Sequence, residues 1–504
     1  MKKIAKCIAC ISVLLFGAVS AVGCGPKTEG DEHTIQIYMW KSGFGIDWME
    51  KTVQEFNAMQ DEYTAVLETS SAAATIISSL SLGKGNQYDL YFTMLNTAQY
   101  NKDFAPLDDV LTSKATGEDV TIESKYDKDL LAGMRNADGT VNALNYASGW
   151  TGILYNKSLI SEDRLPNTTK ELELLVTELN GEGVKPWLFY NDQYNNGYWN
   201  YVTSVWEAQY DGLDYYYNTM MKLEDEEGNS PSKEVMLGTD KGVSDSYAAR
   251  LKDGRYQAFK VMESVITPET VHSECTNTNF TTVQNLFLSG EAAMSINGNW
   301  IMKEMGKVNE DIGIMNIPVI SSITEKLEDS DMSDETLSEI IDQIDAGAAS
   351  SDLCSSDDFA KIKEARSLMY NNGTELYVFV PEYSNCIDGA KEFLRYFYSD
   401  AGMLNYMNST HLPGPAGLTD ESKFDRSTLS EWNKRSFELT ESMTPLVTRM
   451  DRSDVFKDLG INQFANLVTA QALSARNPKD RKNADQLWQS FVAKVNENWS
   501  EWAV

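Results

Sequence analysis

The sequence predicts an α/β fold that contains parallel β-sheet, on the evidence of two patterns. Short runs such as residues 34–40 and 89–92 carry apolar residues at both odd and even positions, which is typical of strands buried on both faces. An amphipathic helical stretch, residues 48–59, separates the first of these runs from the next. Strands that alternate with helices favour a parallel sheet, in which ligands bind beyond the carboxyl ends of the strands.

The first series of elements places two candidate binding residues. Its strands are predicted at 34–40, 63–67 and 89–92, and its helices at 48–59 and 75–82. Trp40 ends the first strand and Asn96 follows the third, so both lie at carboxyl ends where a ligand would bind. Core packing of Trp40 and a simple turn role for Asn96 remain alternatives.

A well-marked helix follows a predicted strand at 146–155. Thr168 and Glu171 have the spacing of a capping box, which predicts the first turn of this helix. Asn180-Gly181 predicts its end, because such residues favour the left-handed backbone that often terminates a helix.

An aromatic, amide-rich segment comes next. A short strand predicted at 185–190 leads into it, and it includes Tyr198 and Trp199. Neighbouring side chains point in different directions on a strand or a helix. We therefore expect one of these two aromatic side chains to face a ligand and the other to lie in the core.

The second half of the chain contains further strands between polar stretches. A helix is predicted at 283–288, strands at 292–296, 312–317 and 376–380, and mainly helices over 401–504. Residues 222–245 are acidic and predict a surface loop. Residues 321–360 are rich in Asp, Glu and Ser, and predict a solvated insertion.

The N-terminus has the pattern of an export signal. Lysines precede an uncharged apolar run that is too short to cross a bilayer. Small residues then lead to Cys24, in a pattern that resembles the lipobox of bacterial lipoproteins. We expect residues 1–23 to be a signal peptide, Cys24 to carry lipid and residues 24–33 to form a flexible tether. An ordinary cleaved signal with an incidental cysteine is the alternative.

Charge and cysteine usage argue against several partners and sites. The chain has 43 Lys and Arg against 75 Asp and Glu, a formal charge of −32, which repels nucleic acid and anionic membrane surfaces. Cys275, Cys354 and Cys386 are too few and too scattered for a disulfide framework, although a single pair stays open. The three histidines are far apart and no EF-hand loop is found, so no metal or cofactor is expected, while a structural calcium ion stays open.

Two longer motifs connect the chain to a known family. Residues 152–157 read Gly-Ile-Leu-Tyr-Asn-Lys and are followed by Pro-Asn-Thr-Thr-Lys-Glu-Leu at 166–172. Residues 287–300 read Phe-Leu-Ser-Gly-Glu-Ala-Ala-Met-Ser-Ile-Asn-Gly-Asn-Trp. In this order, both motifs resemble those of family 1 extracellular solute-binding proteins. Glu291 stands where that family usually has Lys.

The resemblance implies a two-lobe, periplasmic-binding-protein-like (type II) fold with crossing hinge strands and a ligand cleft between the lobes. It implies an N-terminal lobe of residues 34–147 and 316–399, which includes the acidic insertion 321–360, and a C-terminal lobe of residues 148–315 and 400–504.

Two further tryptophans receive roles from the resemblance. Trp300 is expected to be a stacking platform in the cleft, with a core position as the alternative. Trp150 lies beside the crossing between the lobes, where it would cap the ligand or brace the hinge.

The function that the resemblance implies is capture without chemistry. A lipid-anchored monomer on the extracellular face of the bacterial membrane would bind a sugar or oligosaccharide and deliver it to the permease of an ABC transporter. A secreted glycoside hydrolase or lyase is one alternative, although no recognisable catalytic motif is present. A binder of a polyamine, a peptide or a metal is another, and the Asn and Gln side chains of 191–200 favour a neutral ligand instead.

Overall fold

The computed structural model describes residues 32–71, 80, 83, 86–94, 103–136, 138–190, 198–217, 252–276, 278–306, 309–447 and 470–502. Several predictions fall outside the described residues. These are the signal peptide and Cys24, most of the helix at 75–82, Asn96, the amide-rich residues 191–197 and the loop at 222–245.

The described strands are β1 (Thr34–Trp40), β2 (Thr64–Ser70), β3 (Leu90–Met94), β4 (Leu144–Asn145), β5 (Trp150–Asn156), β6 (Met294–Gly298), β7 (Ile312–Ile314), β8 (Leu368–Asn371), β9 (Leu376–Phe379) and β10 (Thr444–Leu446). The described α-helices are α1 (Asp47–Met59), α2 (Asp108–Thr112), α3 (Lys128–Met134), α4 (Thr169–Gly181), α5 (Trp199–Asp211), α6 (Leu213–Tyr216), α7 (Lys252–Val265), α8 (Phe280–Leu288), α9 (Ile301–Glu304), α10 (Asp334–Asp345), α11 (Ser356–Ser367), α12 (Ile387–Phe397), α13 (Asp400–Thr410), α14 (Glu431–Ser442), α15 (Ala470–Leu473) and α16 (Ala484–Trp502).

The first sheet has the strand order β2-β1-β3-β9-β4. Strand β1 pairs in parallel with β2, Thr34 opposite Thr64, and with β3, Ile37 opposite Leu90. The parallel sheet predicted for this part of the chain is therefore confirmed. Strand β9 comes from far along the sequence and runs antiparallel to both β3 and β4.

The second sheet has the order β10-β8-β5-β6, and β7 also pairs with β5. Strand β5 runs antiparallel to β6, β7 and β8, whereas β8 and β10 are parallel. The strand predicted at 146–155 begins only at Trp150, because the four preceding residues connect the two sheets. The strand predicted at 185–190 is reduced to isolated bridges that Trp187 makes with Val271 and Met294.

Two connections cross between the sheets side by side. One joins β4 to β5 and the other joins β8 to β9. The amide of Tyr146 donates to the carbonyl of Leu376 at 3.0 Å, and the amide of Asn372 donates to the carbonyl of Gly149 at 2.9 Å. These two crossing segments therefore continue antiparallel hydrogen bonding from one sheet to the other, as expected for the predicted hinge.

Each sheet has a hydrophobic core of its own. We call the first sheet, with α1, α12 and α13 packed on it, the first lobe, and the second sheet, with α4, α5 and α7, the second lobe. Helix α4 begins with the predicted capping box, in which Thr168 and Glu171 satisfy each other's backbone amides. Its residues Leu172, Val176 and Leu179 lie in the second core.

The acidic segment 321–360 is not a solvated insertion. Helix α10 buries Leu337, Ile340 and Ile341 in the second core and exposes Glu335, Glu339 and Asp342. The prediction rested on the acidic composition of the segment and overlooked its apolar residues at helical spacing. Because these residues pack on the second sheet, we propose that the segment belongs to the second lobe rather than to the N-terminal lobe.

Helix α13 packs in the opposite way. Met403 and Tyr406 lie in the first core, although the resemblance assigned residues 400–504 to the C-terminal lobe. Helix α14 contributes to both cores, since Phe437 lies in the first and Leu439 in the second. We therefore propose that the chain returns to the first lobe at β9, remains there through α13 and passes back to the second lobe at α14.

Candidate functional site between the lobes

Trp300 lies at the junction of the two lobes. It follows β6 of the second sheet, but its side chain packs in the first core and is only 6% exposed. Its ring centroid is 5.9 Å from that of Phe44 in the first lobe. On its other side, Tyr198 meets it edge-on, with centroids 6.3 Å apart and an angle of 85° between the planes. We call Phe44, Tyr198 and Trp300 the aromatic junction.

Glycines allow the indole to reach this position. A β-carbon at Gly43 of the first lobe would lie 2.5 Å from the indole Cδ1, and one at Gly149 in the crossing connection would lie 3.1 Å from Cζ3. At Gly298, on the preceding strand, a β-carbon would overlap the six-membered ring at 1.9 Å. Contacts below 3 Å cannot be accommodated without a shift of the ring, so these glycines fix where the indole lies.

Buried polar groups lie next to the aromatic junction. Tyr146 and Tyr406 are fully buried, and burial raises the pKa of both hydroxyls. Among the described residues, neither hydroxyl makes a hydrogen bond of ordinary geometry, and neither does Oδ1 of Asn372 beside Gly149. Phe44 connects Tyr406 to the rest of the junction, since its ring contacts both Trp300 and Tyr406. Buried polar atoms without partners are costly, so water or a ligand hydroxyl would be favourable here.

Tyr198 is held in an unusual backbone conformation. Its φ of 64° is in the left-handed region, which residues other than glycine rarely adopt. Strain of this kind persists where the surroundings fix it, and it is concentrated at functional sites. The ring stacks on Tyr201 at 5.6 Å between centroids, and burial together with nearby Glu304 and Glu375 raises the pKa of its hydroxyl.

A buried carboxylate connects this tyrosine cluster to the hinge. Glu375 lies on the connection between β8 and β9. Its two carboxylate oxygens accept hydrogen bonds from the hydroxyls of Tyr201 and Tyr370, both at 2.8 Å. The rings of these two tyrosines stack at 4.4 Å, so the start of α5 is fixed relative to the crossing strands.

The structure brings two of the predicted site residues, Trp300 and Tyr198, into contact. Trp199 is fully buried in the second core against Trp187 and Phe189. Trp40 is half-buried and packs on residues of the first sheet. Within the described part of the chain, no ring contact joins Trp40 or Trp199 to Trp300.

Trp150 points away from Trp300. It is 2% exposed, and its Nε1–H donates to Thr440 Oγ1 on α14 at 2.9 Å. Its neighbour Gly149, rather than Trp150 itself, faces the indole of Trp300.

Several residues of the site were not found from the sequence. Phe44 and Gly43 belong to the glycine loop after β1, which the strand-end rule would have included. Tyr146 lies in the crossing connection, and Tyr406 comes from α13, which was assigned to the other lobe. No local pattern marks a contact between residues so far apart in sequence.

Two further features bear on the class of protein. Among the described residues, no cluster of three or more His, Cys, Asp and Glu side chains has an arrangement suited to a metal ion. In the same part of the chain, no helix combines the length and apolar character that crossing a bilayer requires.

A comparison with protein families now identifies the class. Residues 51–423 match the family described as bacterial extracellular solute-binding protein. The chain belongs to this family. A search of curated proteins gives no match.

Solved structures of other solute-binding proteins share the fold. The bacterial solute receptor AcbH, described as having an exclusive preference for β-D-galactopyranose, has a TM-score of 0.58 at 11% identity, over 93% of this chain and 100% of that one. RafE in complex with raffinose has a TM-score of 0.57 at 14% identity, over 93% and 99%. GacH of Streptomyces glaucescens, solved unliganded and with acarbose, has a TM-score of 0.56 at 14% identity, over 93% and 99%. At these identities the likeness shows a two-lobe α/β solute-binding fold, as predicted.

Proposed function

We propose that this solute-binding protein captures a neutral sugar or short oligosaccharide at the aromatic junction and delivers it to the permease of an ABC transporter. The observation that carries the proposal is the position of Trp300, an indole of the second lobe that packs on Gly43 and Phe44 of the first. A ligand bound beside this ring would contact both lobes at once. Its binding energy would therefore favour the closed arrangement.

The side chains at the junction suit the two kinds of surface that a sugar presents. Aromatic faces of Trp300, Tyr198 and Phe44 can cover the apolar C–H faces of a pyranose ring. The hydroxyls of Tyr146 and Tyr406 make no hydrogen bond of ordinary geometry among the described residues, and they would pair with hydroxyls of the ligand or with bridging water. Trp199 would position Tyr198 from the core.

Charge at the junction favours a neutral ligand over a polyamine. Asp47 and Lys303, beside the aromatic ring, form an ion pair with each other. The two carboxylates near Tyr198 are already hydrogen-bonded within the protein, Glu375 to two tyrosine hydroxyls and Glu304 to Gln284 at 2.7 Å. A cationic ligand would need carboxylates that are not already engaged in this way. The neighbouring solved structures, whose descriptions name galactopyranose, raffinose and acarbose, support the same class of ligand.

Calorimetric titration with neutral sugars tests the proposal directly. Galactose, raffinose, maltose and chitin oligosaccharides form the first panel, and we expect at least one to bind. Trp300→Ala should weaken that binding by about thirtyfold, or ~2 kcal/mol, through lost stacking and burial. Trp488→Ala, at a half-buried tryptophan of α16, is the matched control. Equal affinities of the two variants would remove Trp300 from the site.

The proposal also holds that the bound sugar leaves unchanged. The family and the neighbouring structures are receptors, and the two carboxylates near Tyr198 are held by tyrosine hydroxyls and by Gln284 within the protein. Incubation with the best-binding oligosaccharide, followed by chromatography, should recover it intact. Any turnover that is lost with a site variant would favour the alternative of a carbohydrate-active enzyme.

A further inference from the structure

A second cavity lies beside the crossing strands. Its volume is about 390 Å³, within the range of about 300–1,000 Å³ that is usual for small-molecule sites. Ser148 of one crossing connection and Asn371 at the end of β8 line it, together with Leu130 of α3, Phe437 of the first core and Trp150 of the second. Its described lining residues include none of the aromatic junction, so it is separate from the proposed sugar site.

The basic residue on the first-lobe wall is already neutralised. Lys125 Nζ lies 2.8 Å from Glu118 Oε2 and 3.0 Å from Asp400 Oδ1, and it also donates to the carbonyl of Tyr398 at 2.9 Å. The lysine is 9% exposed, so this network is nearly dry. It offers no unpaired charge to an ion in the cavity.

The second basic residue of the lining, Arg426, is paired as well. Arg426 forms ion pairs with Glu421, at 3.1 Å, and with Glu441. Its guanidinium lies 4.4 Å above the centre of the Phe437 ring. The indole N–H of Trp150 is satisfied by Thr440 at 2.9 Å. The polar lining residues have partners as well, since Asn371 donates to Ser148 Oγ at 3.3 Å and Asp127 accepts from the amides of Asp129 and Leu130. What remains for a ligand is mainly a surface of aromatic rings and of the prolines at 413, 415 and 445.

We infer that this cavity is a second binding site, which takes an uncharged, mainly apolar small molecule. The rings and prolines provide apolar surface. The charged side chains are already paired, so they would not compensate an anion or a cation for the hydration that it loses on binding. A sugar would be a poor occupant, because its belt of hydroxyls would find few free partners in these walls.

The walls of the cavity come from both lobes and from the hinge between them. A change in the angle between the lobes would therefore alter the cavity, so its occupant would bind the open and closed arrangements with different affinity. By reciprocity, the apolar molecule and the sugar would then change each other's affinity by the same factor. This second step rests on the proposed function, whereas the existence of the site does not.

Titration of the full chain with prodan, an uncharged naphthalene dye, tests the site. We expect saturable, blue-shifted fluorescence. Leu130→Trp and Leu418→Trp, two independent variants that fill the cavity, should each weaken dye binding at least tenfold while unfolding stays cooperative. Met59→Trp, at a side chain 49% exposed on α1, is the control and should bind like the wild type. Equal binding by all variants, or no saturable binding at all, would overturn the site.

Sugar affinity measured with and without saturating prodan tests the coupling. A changed affinity, matched by an equal change in dye affinity when the sugar is saturating, supports coupling through the hinge. Unchanged affinities would overturn the coupling and leave the site intact. Dye binding without binding of any sugar would count against the proposed function alone.

Discussion

Lys303 of the second lobe and Asp47 of the first lobe form an ion pair across the junction, with 3.2 Å between Nζ and Oδ2. Lys303 is the third residue of α9, which begins directly after Trp300, and Asp47 is the first residue of α1. The lysine ammonium also contacts Ser409 Oγ at 3.4 Å, and its Cε would touch a β-carbon at Gly45. The ion pair and the contact of Trp300 with Phe44 therefore join the same two parts of the chain, which are α1 with the loop before it and α9 with the end of β6.

Removal of this ion pair should favour the open arrangement slightly. Asp47 is 73% exposed and Lys303 24%, so the pair should contribute no more than about 1 kcal/mol, or about fivefold in sugar affinity. Salt should weaken sugar binding by the wild type and have a smaller effect on Lys303→Met, because exposed charges are screened. Lys114→Met removes a pair within the first lobe and is the control. Identical salt dependence in all three proteins would contradict a role in closure.

Gly43→Ala should weaken ligand binding by displacing the indole of Trp300. The added β-carbon would lie 2.5 Å from Cδ1, and Gly149 and Gly298 prevent the ring from moving away on its other side. We expect a loss of about tenfold or more in sugar affinity and a larger radius of gyration by X-ray scattering. Gly181→Ala, where nothing lies within 4 Å of the new β-carbon, should have neither effect. An unchanged affinity in Gly43→Ala would show that the ring position is irrelevant to binding.

Local patterns predicted the elements that depend on local interactions. The capping box of Thr168 and Glu171 was found because residues three apart in the sequence determine it. The parallel sheet that contains β1, β2 and β3 was found because buried strands that alternate with helices favour one, although the order of the strands was not predicted. The motif that ends at Trp300 indicated the aromatic side chain that contacts both other rings of the junction. These are features whose physical cause lies within a few residues of the signal.

The parts that were missed depend on distant contacts. Phe44 contacts Trp300 and Tyr406, which are more than 250 residues away in the sequence. No local sequence pattern predicts such contacts. The prediction of a solvated insertion at 321–360 failed because it rested on average composition, which does not distinguish the two faces of a helix. Burial of α10 follows its apolar face, which carries Leu337, Ile340 and Ile341.

Asp211 should make stability depend on pH in the alkaline direction. Burial, with Glu207 close by, raises the pKa of Asp211 to about 8 in the folded protein from its ordinary value of 3.8. The folded state therefore retains a proton that the unfolded chain releases. The contribution of Asp211 is complete below about pH 4, and it is lost progressively as pH rises towards 8.

Urea unfolding between pH 5 and pH 9 measures this effect. The free energy of unfolding of Asp211→Asn minus that of the wild type should increase as pH rises and become constant above about pH 8. Asp129→Asn, at an exposed position in the first turn of α3, should follow the wild type throughout. A constant difference between Asp211→Asn and the wild type would show that Asp211 does not titrate in this range.

Cys24→Ser should release the protein from the membrane. If Cys24 carries the lipid, its removal takes away the anchor, and most of the chain should move from the membrane fraction to the medium. Cys354→Ser, which changes a half-buried cysteine of the second lobe, should stay with the membrane. Membrane retention of Cys24→Ser would favour an ordinary signal and another means of attachment.

Glu375→Ala should destabilise the hinge more than the loss of a single hydrogen bond. In the wild type, the hydroxyls of Tyr201 and Tyr370 each donate to the Glu375 carboxylate at 2.8 Å. The substitution removes this acceptor from a buried site. We expect a loss of about 3 kcal/mol in the free energy of unfolding. Tyr201→Phe removes one donor and leaves no orphan hydroxyl at that position, so it should cost only about 1 kcal/mol. If the two variants were equally stable by urea unfolding, the carboxylate would not be what fixes α5 to the crossing strands.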